Sequence, residues 1–137
     1  MEITYYGHSC LAVKVGTHRL LFDPFISGNP LASGIDVNTI EADFILISHA
    51  HGDHLKDAMD IGQRCHAQLI TNNEMNGWYE EKGWKNGMGL NHGGKVKTAF
   101  GTVRYVNAIH SSEFPDGRYG GNPGGFVVET EEGNFYF

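Results

Sequence analysis

Between Phe44 and Asp57 the sequence reads FILISHAHGDHLKD: four apolar residues, then three histidines and an aspartate within six positions, then a helical pattern. Imidazoles crowded this closely repel one another when protonated, and buried without partners they waste hydrogen-bonding capacity. Something has to hold His49, His51, Asp53 and His54 together, and a cation is the obvious candidate. The segment predicts a buried strand ending at Ser48 and a tight turn through the small residues Ala50 and Gly52. A helix then follows, with Asp53 at its N-cap. His49 and His51, two apart, point to one side, and Asp53 and His54 to a neighbouring position. Two nitrogen donors for one ion, and a carboxylate plus a nitrogen for another, suit Zn²⁺, Mn²⁺ or Fe²⁺ better than Ca²⁺ or Mg²⁺. No cysteine sits in the cluster, which argues against a closed structural zinc site and for open, catalytic positions.

Charge narrows the partners. Lys and Arg number 10 against 16 Asp and Glu, a formal net charge of -6. That balance disfavours non-specific binding to nucleic acid or anionic membranes, which needs a positive surface; a small-molecule substrate is expected instead. Cys10 and Cys65 are far apart and in no CxxC pair, so they read as reduced, small hydrophobic residues. The opening MEITYYGHSC has no basic stretch followed by an apolar one, and the longest apolar run, FILI, is far short of a membrane span. A soluble, cytoplasmic protein with one domain over residues 1–137 is the expectation.

ITYY, LAVKV and RLLFD predict short strands joined at Gly7 and at the GTH turn. The segment from Pro24 to about Ile40, punctuated by Gly, Pro, Asn and Ser, predicts a long functional loop. ADFILIS reads as a strand buried on both faces, because its apolar residues are continuous. HLKDAMDIGQRC predicts a helix, AQLITN a strand and NEMNGWYEEKG a second helix ended by Gly83. WKNGMGLNHGG reads as irregular. KVKTAF and TVRYVNAIH predict a hairpin around Gly101. After the loop SSEFPDGRYGGNPGG comes FVVETEEGNFYF, a strand, a turn at Glu132-Gly133-Asn134, and a strand again. The glycines Gly120, Gly121, Gly124 and Gly125 suggest a mobile loop beside the substrate.

SHAHGDH resembles the HxHxDH signature of the metallo-β-lactamase superfamily. Together with YYGHSC, LLFDPFISGNPLA, LNHGGKV and IHSS, in that order from Ile3 to Phe137, it is similar to the bacterial metal-dependent hydrolases related to L-ascorbate-6-phosphate lactonase. The resemblance implies an α/β fold, the four-layer αββα sandwich of two similar halves, of which this chain supplies about the first. It implies a metal-dependent hydrolase with two divalent ions, Zn²⁺ or Mn²⁺ with iron also possible, that cleaves a lactone, ester, amide or phosphoester with a metal-bound hydroxide. His49, His51 and His110 match ligands of one metal. Asp53 and His54 match ligands of the other, and are the expected catalytic pair. Asp23 matches an aspartate beneath the metal loop, placed to orient a ligand imidazole. His8 matches a position near the site mouth, and Ser111 stands beside His110 on the substrate side. His18, His66 and His92 are expected to be structural or surface residues.

In the family, a strand like GNFYF runs into a Gly-Asp-Thr turn whose aspartate bridges both metals, and a later histidine completes the second site. Neither lies within these 137 residues. Truncation at the C-terminus is therefore expected, with the apolar residues of FVVET and NFYF covered by a missing half or by a second copy in a homo-oligomer. Two alternatives remain: a truncated, non-catalytic metal-binding domain, and an RNA phosphodiesterase, which the acidic charge disfavours.

Overall fold

The computed structural model describes every residue from Met1 to Phe137. Three strands, β1 (Glu2–Gly7), β2 (Cys10–Val15) and β3 (His18–Phe22), form an antiparallel meander. A loop carrying two short 3-10 turns leads to β4 (Phe44–Leu46). A helical turn α1 (Gly52–Leu55), helix α2 (Ala58–Cys65), β5 (Gln68–Asn72), helix α3 (Asn73–Glu81) and β6 (Gly87–Leu90) follow. β3 through β6 pair in parallel, so the first sheet has six strands in sequence order. A second sheet, in the order β10-β9-β8-β7, is built from β7 (Lys95–Thr98), β8 (Gly101–Asn107), β9 (Gly124–Thr130) and β10 (Gly133–Tyr136).

Side chains that alternate along a strand face opposite sides of a sheet. Leu21, Ile45 and Leu69 are aligned in register and pack under the helices with Ile61, Met75 and Tyr79. Their neighbours Phe22, Leu46 and Ile70 face the other way, into a second core with Val103, Tyr105, Phe126 and Val128. The six-stranded sheet is covered on both faces, which is why FILI carries no alternation. The layers are helices, sheet, sheet. No helix is long and apolar enough to cross a membrane.

Several expectations are corrected. The strand within ADFILIS is only three residues long, because the chain leaves the sheet to build the histidine turn. His51, not Asp53, is the residue before α1, and it makes no side-chain cap; the helix also breaks between Leu55 and Ala58. WKNGMGLNHGG contains a strand, β6, whose glycines let α3 lie directly on it: a Cβ on Gly89 would press on the Asn73 backbone, and one on Gly87 on the Asn76 side chain. The last hairpin turns one residue earlier than expected, at Glu131-Glu132, with Thr130 paired to Gly133.

The apolar residues near the C-terminus are mostly covered within the chain. Phe126 and Val128 are fully buried, and Phe135 and Phe137 pack on Phe22 with centroids 5.8 and 4.8 Å away. The unpaired edge of β10 remains, along with Tyr136, which is 67% exposed.

Candidate metal centre

The site forms where four loops meet at the carboxyl ends of β3 and β4 and beside the start of β9. The chain leaving β4 carries His49 and His51. The loop after β8 carries His110, three residues beyond Asn107 and not at the strand end itself. These three rings close on one another, with centroid separations of 4.6 Å for His49–His51, 4.8 Å for His49–His110 and 5.0 Å for His51–His110. One ring nitrogen from each lies within 4.8 Å of the others. Asp53 and His54 form a second group, joined by His8 from the β1–β2 turn. The two groups share a wall, because the His49 and His54 rings stack at 4.0 Å. An open cleft of about 410 Å³ runs from these rings to Pro123, Tyr136 and Phe137.

A buried carboxylate organises both groups. Asp23 stands at the end of β3 with φ +41°, a left-handed conformation that aspartate tolerates better than most residues. Its Oδ1 accepts from the Ser48 amide at 2.7 Å, and its Oδ2 from the Ser48 hydroxyl at 2.6 Å and from His54 Nδ1 at 2.7 Å. With its proton spent on Asp23, the Ser48 oxygen is free to accept from His49 Nδ1, 2.9 Å away. His49 and His54 therefore both turn their Nε2 atoms toward the cleft, one through Ser48 and one directly. Burial raises the Asp23 carboxyl, and the hydrogen bonds from His54 and Ser48 draw it back.

The donor geometry suits a cation. His49 Nε2 and His51 Nδ1 face each other at 3.1 Å. Two lone pairs cannot share that space without a proton or a metal between them. Ligand nitrogens of a tetrahedral ion with bonds of 2.0–2.1 Å stand roughly 3.3 Å apart, close to this spacing. Burial first, and the neighbouring rings of His54, His51 and His110 second, push the His49 imidazole down to about 3. It is thus the neutral donor that a metal requires.

Three nearby elements were not singled out from the sequence. Ser48 left no signal beyond its place before the first histidine. Asp57 is buried, and its Oδ2 accepts from the amides of Ile26 and Ser27 at 2.6 and 2.8 Å, pinning the long loop to the start of α2. Tyr105 directs its hydroxyl between the carbonyls of Ser48 and Asn122, each 2.9 Å away. The glycines read as a mobile loop are packed instead: Gly120 against Ala50 and Ser112, Gly121 against Asn72, and Gly124 against the Tyr105 ring. Ser111 Oγ is 3.4 Å from His51 Nε2. His92 stacks on Tyr105 and contacts the Pro123 carbonyl, while His66 closes α2 in a left-handed cap. His18 lies edge-on to Phe44 at the far end of β3.

The family profile described as "Beta-lactamase superfamily domain" matches residues 2–137. The chain belongs to the beta-lactamase superfamily. It is 54% identical over 136 residues to a "UPF0173 metal-dependent hydrolase" of Flavobacterium johnsoniae, an alignment covering 99% of this chain and 60% of that protein. Another protein of the same name, from Christiangramia forsetii, is 50% identical over 137 residues and again 60% covered. The chain thus spans about three fifths of the length of these superfamily relatives. Among solved structures, Igni18, "a novel metallo hydrolase" from Ignicoccus hospitalis, superposes with a TM-score of 0.83 at 30% identity, covering 98% of this chain and 58% of that one. The three layers are those of the metallo-β-lactamase fold.

Proposed function

We propose that this chain carries the metal-binding part of a cytoplasmic hydrolase that acts on a small lactone, ester, amide or phosphoester. The observation that carries the reading is the double role of Asp23, which aims an imidazole of each histidine group into one cleft. His49, His51 and His110 would hold one divalent ion, Zn²⁺ or Mn²⁺ with Fe²⁺ also suited, and Asp53 and His54 would hold the second. Ions bound there supply Lewis acidity, polarising the scissile oxygen and lowering the pKa of water.

The chain's own residues do the rest. Ser48 keeps the proton of His49 on Nδ1, and Asp23 keeps that of His54 on Nδ1. Asp53, its side chain 51% exposed, keeps its carboxylate oxygens available to an ion or substrate, whereas Asp23, 1% exposed, has both of its own committed to Ser48 and His54. Pro123 and Gly124, held in place by Tyr105 and by the Gly124 amide bond to the Ser48 carbonyl at 3.1 Å, form the wall against which a substrate lies. The net charge of -6 favours a small molecule over RNA. Because the chain spans only 60% of its relatives' length, the complete activity is assigned to a form in which a C-terminal half, or a second copy, completes the cleft.

A non-catalytic metal-binding domain is the second reading, favoured by that same partial span. The test strips the chain with a chelator, reloads it with Zn²⁺ or Mn²⁺, and assays nitrophenyl esters, a lactone and bis(p-nitrophenyl) phosphate. Metal-restored turnover that His51→Ala removes supports the hydrolase. Metal uptake with no turnover on any substrate, both by this chain and by the chain extended with the C-terminal region that its relatives carry, supports the second reading.

A further inference from the structure

We propose that His8 is a protein ligand of the second metal position, completing with His54 and Asp53 a two-histidine, one-carboxylate triad suited to Mn²⁺, Fe²⁺ or Co²⁺. The inference rests on the metal-hydrolase reading and adds to it a residue from outside the HAHGDH segment, in the turn between β1 and β2.

The geometry points there from several directions. His54 has its Nδ1 committed to Asp23, so Nε2 is the atom left to face an ion. Asp53 reaches both ways, with Oδ1 4.0 Å from His54 Nε2 and Oδ2 3.3 Å from His8 Nε2. One donor from each of the three residues falls within 4.8 Å of the others. The imidazole of His8 is held rather than free. Its ring stands edge-on to Phe25 at 5.8 Å and to His54 at 4.8 Å. The Tyr5 hydroxyl donates to its carbonyl at 2.9 Å. Phe25 is itself fixed, because Asp57 grips the two residues after it.

His8 also has φ +55°, one of three non-glycine residues in the left-handed region. Such strain persists where surrounding structure over-determines it, characteristically at functional sites. Here the ring of the left-handed residue faces Asp53. The two positions then differ in chemistry. Three imidazoles make a site like those that hold catalytic zinc. Two imidazoles and a carboxylate with open positions make the facial set found with non-haem iron.

The experiment uses the 137-residue chain, stripped of metal and titrated with Co²⁺. Stoichiometry is read by elemental analysis after buffer exchange, and the ligand field by visible absorption. The variant is His8→Asn, since asparagine tolerates left-handed backbone and removes the imidazole without adding strain. The parent should bind two Co²⁺. H8N should bind the second at least tenfold more weakly, with the absorption of the three-histidine position unchanged, and Asp53→Asn should lose the same ion. Two ions of unchanged affinity in H8N would overturn the role of His8 while leaving the hydrolase reading intact. A single ion in the parent would overturn the second position itself. No ion in the parent would sink the underlying reading and the proposal with it.

A readout without any variant uses diethyl pyrocarbonate labelling mapped by mass spectrometry. Saturating Co²⁺ should protect His8 at least fivefold, and equal labelling with and without metal counts against the proposal even if H8N does not fold.

Discussion

Ser48 shows how much a small side chain can decide. Its hydroxyl gives one proton to Asp23 and takes one from His49, so a single atom sets the tautomer of a residue it precedes in sequence. Groups that orient metal-binding histidines typically contribute 10–100-fold in affinity. Ser48→Ala should therefore weaken binding at the three-histidine position about tenfold, with Ser48→Thr restoring most of it; calorimetric Zn²⁺ titration of the three proteins checks this. Asp53→Ala belongs to the other class of residue. Its carboxylate is half exposed and accepts no fold-building hydrogen bond, so the unfolding free energy should change by about 0.5 kcal/mol or less, the range of surface substitutions. Hydrolysis by the metal-loaded form with its cleft completed should nevertheless disappear. Near-normal turnover of D53A would remove Asp53 from the chemistry.

At the scale of elements, α2 and α3 owe their seats to glycines and to one aromatic cluster. Gly62 of α2 lies against the Trp84 indole, whose Nε1 is tied to the Ala67 carbonyl at 3.1 Å and cannot withdraw. Gly62→Ala should cost about 1–3 kcal/mol, the usual penalty of overpacking a filled core, measured as a lower denaturation midpoint in urea.

Helix α3 also anchors the loop that carries His110. Trp78 stacks on Phe114 at 4.2 Å, and its Nε1 donates to Asp116 Oδ2 at 3.0 Å. The bond to Trp78 first, and Arg118 after it, hold the Asp116 carboxyl below its ordinary 3.8. A depressed carboxyl stabilises the fold above its unfolded pKa and loses that contribution as pH falls through the folded value. Trp78 fluorescence should then step below pH ~3.8, and Asp116→Asn should abolish the step. An identical step in D116N would assign it to another group.

For the whole molecule, the decisive feature is where the two sheets fail to overlap. Ile3 and Tyr5 pair with Val13 and Leu11, and so face the inter-sheet side, yet they are 61% and 64% exposed. The four-stranded sheet stops at β10, whose own edge is unpaired. An apolar strip beside a bare strand edge is a surface that proteins usually cover. The chain by itself should self-associate at tens of micromolar or bind a hydrophobic dye, and Ile3→Lys with Tyr5→Lys should reduce both. Sedimentation equilibrium and dye fluorescence check this, and a dye-silent monomer would count against an uncovered strip.

The histidine turn was legible in the sequence because its logic is local. Strand, small residues and helix occupy one short stretch, and alternation within a strand needs no knowledge of the rest of the chain. Most of the individual strands, β6 excepted, and the continuous apolar run of β4 were legible for the same reason. The family likeness of separate motifs added His110 and Asp23, which no local pattern connects to His49. What tertiary structure alone decided depends on contacts between distant segments. β6 is a strand because α3 can lie on its glycines. The glycines from Gly120 to Gly124 are packed because Ala50, Asn72 and Tyr105 meet them from three other elements. His8 faces Asp53 across 45 residues of chain, brought there by a left-handed turn and by an aromatic contact that Asp57 secures from α2. Side-chain direction at such a point is set by packing, and packing is a property of the folded whole.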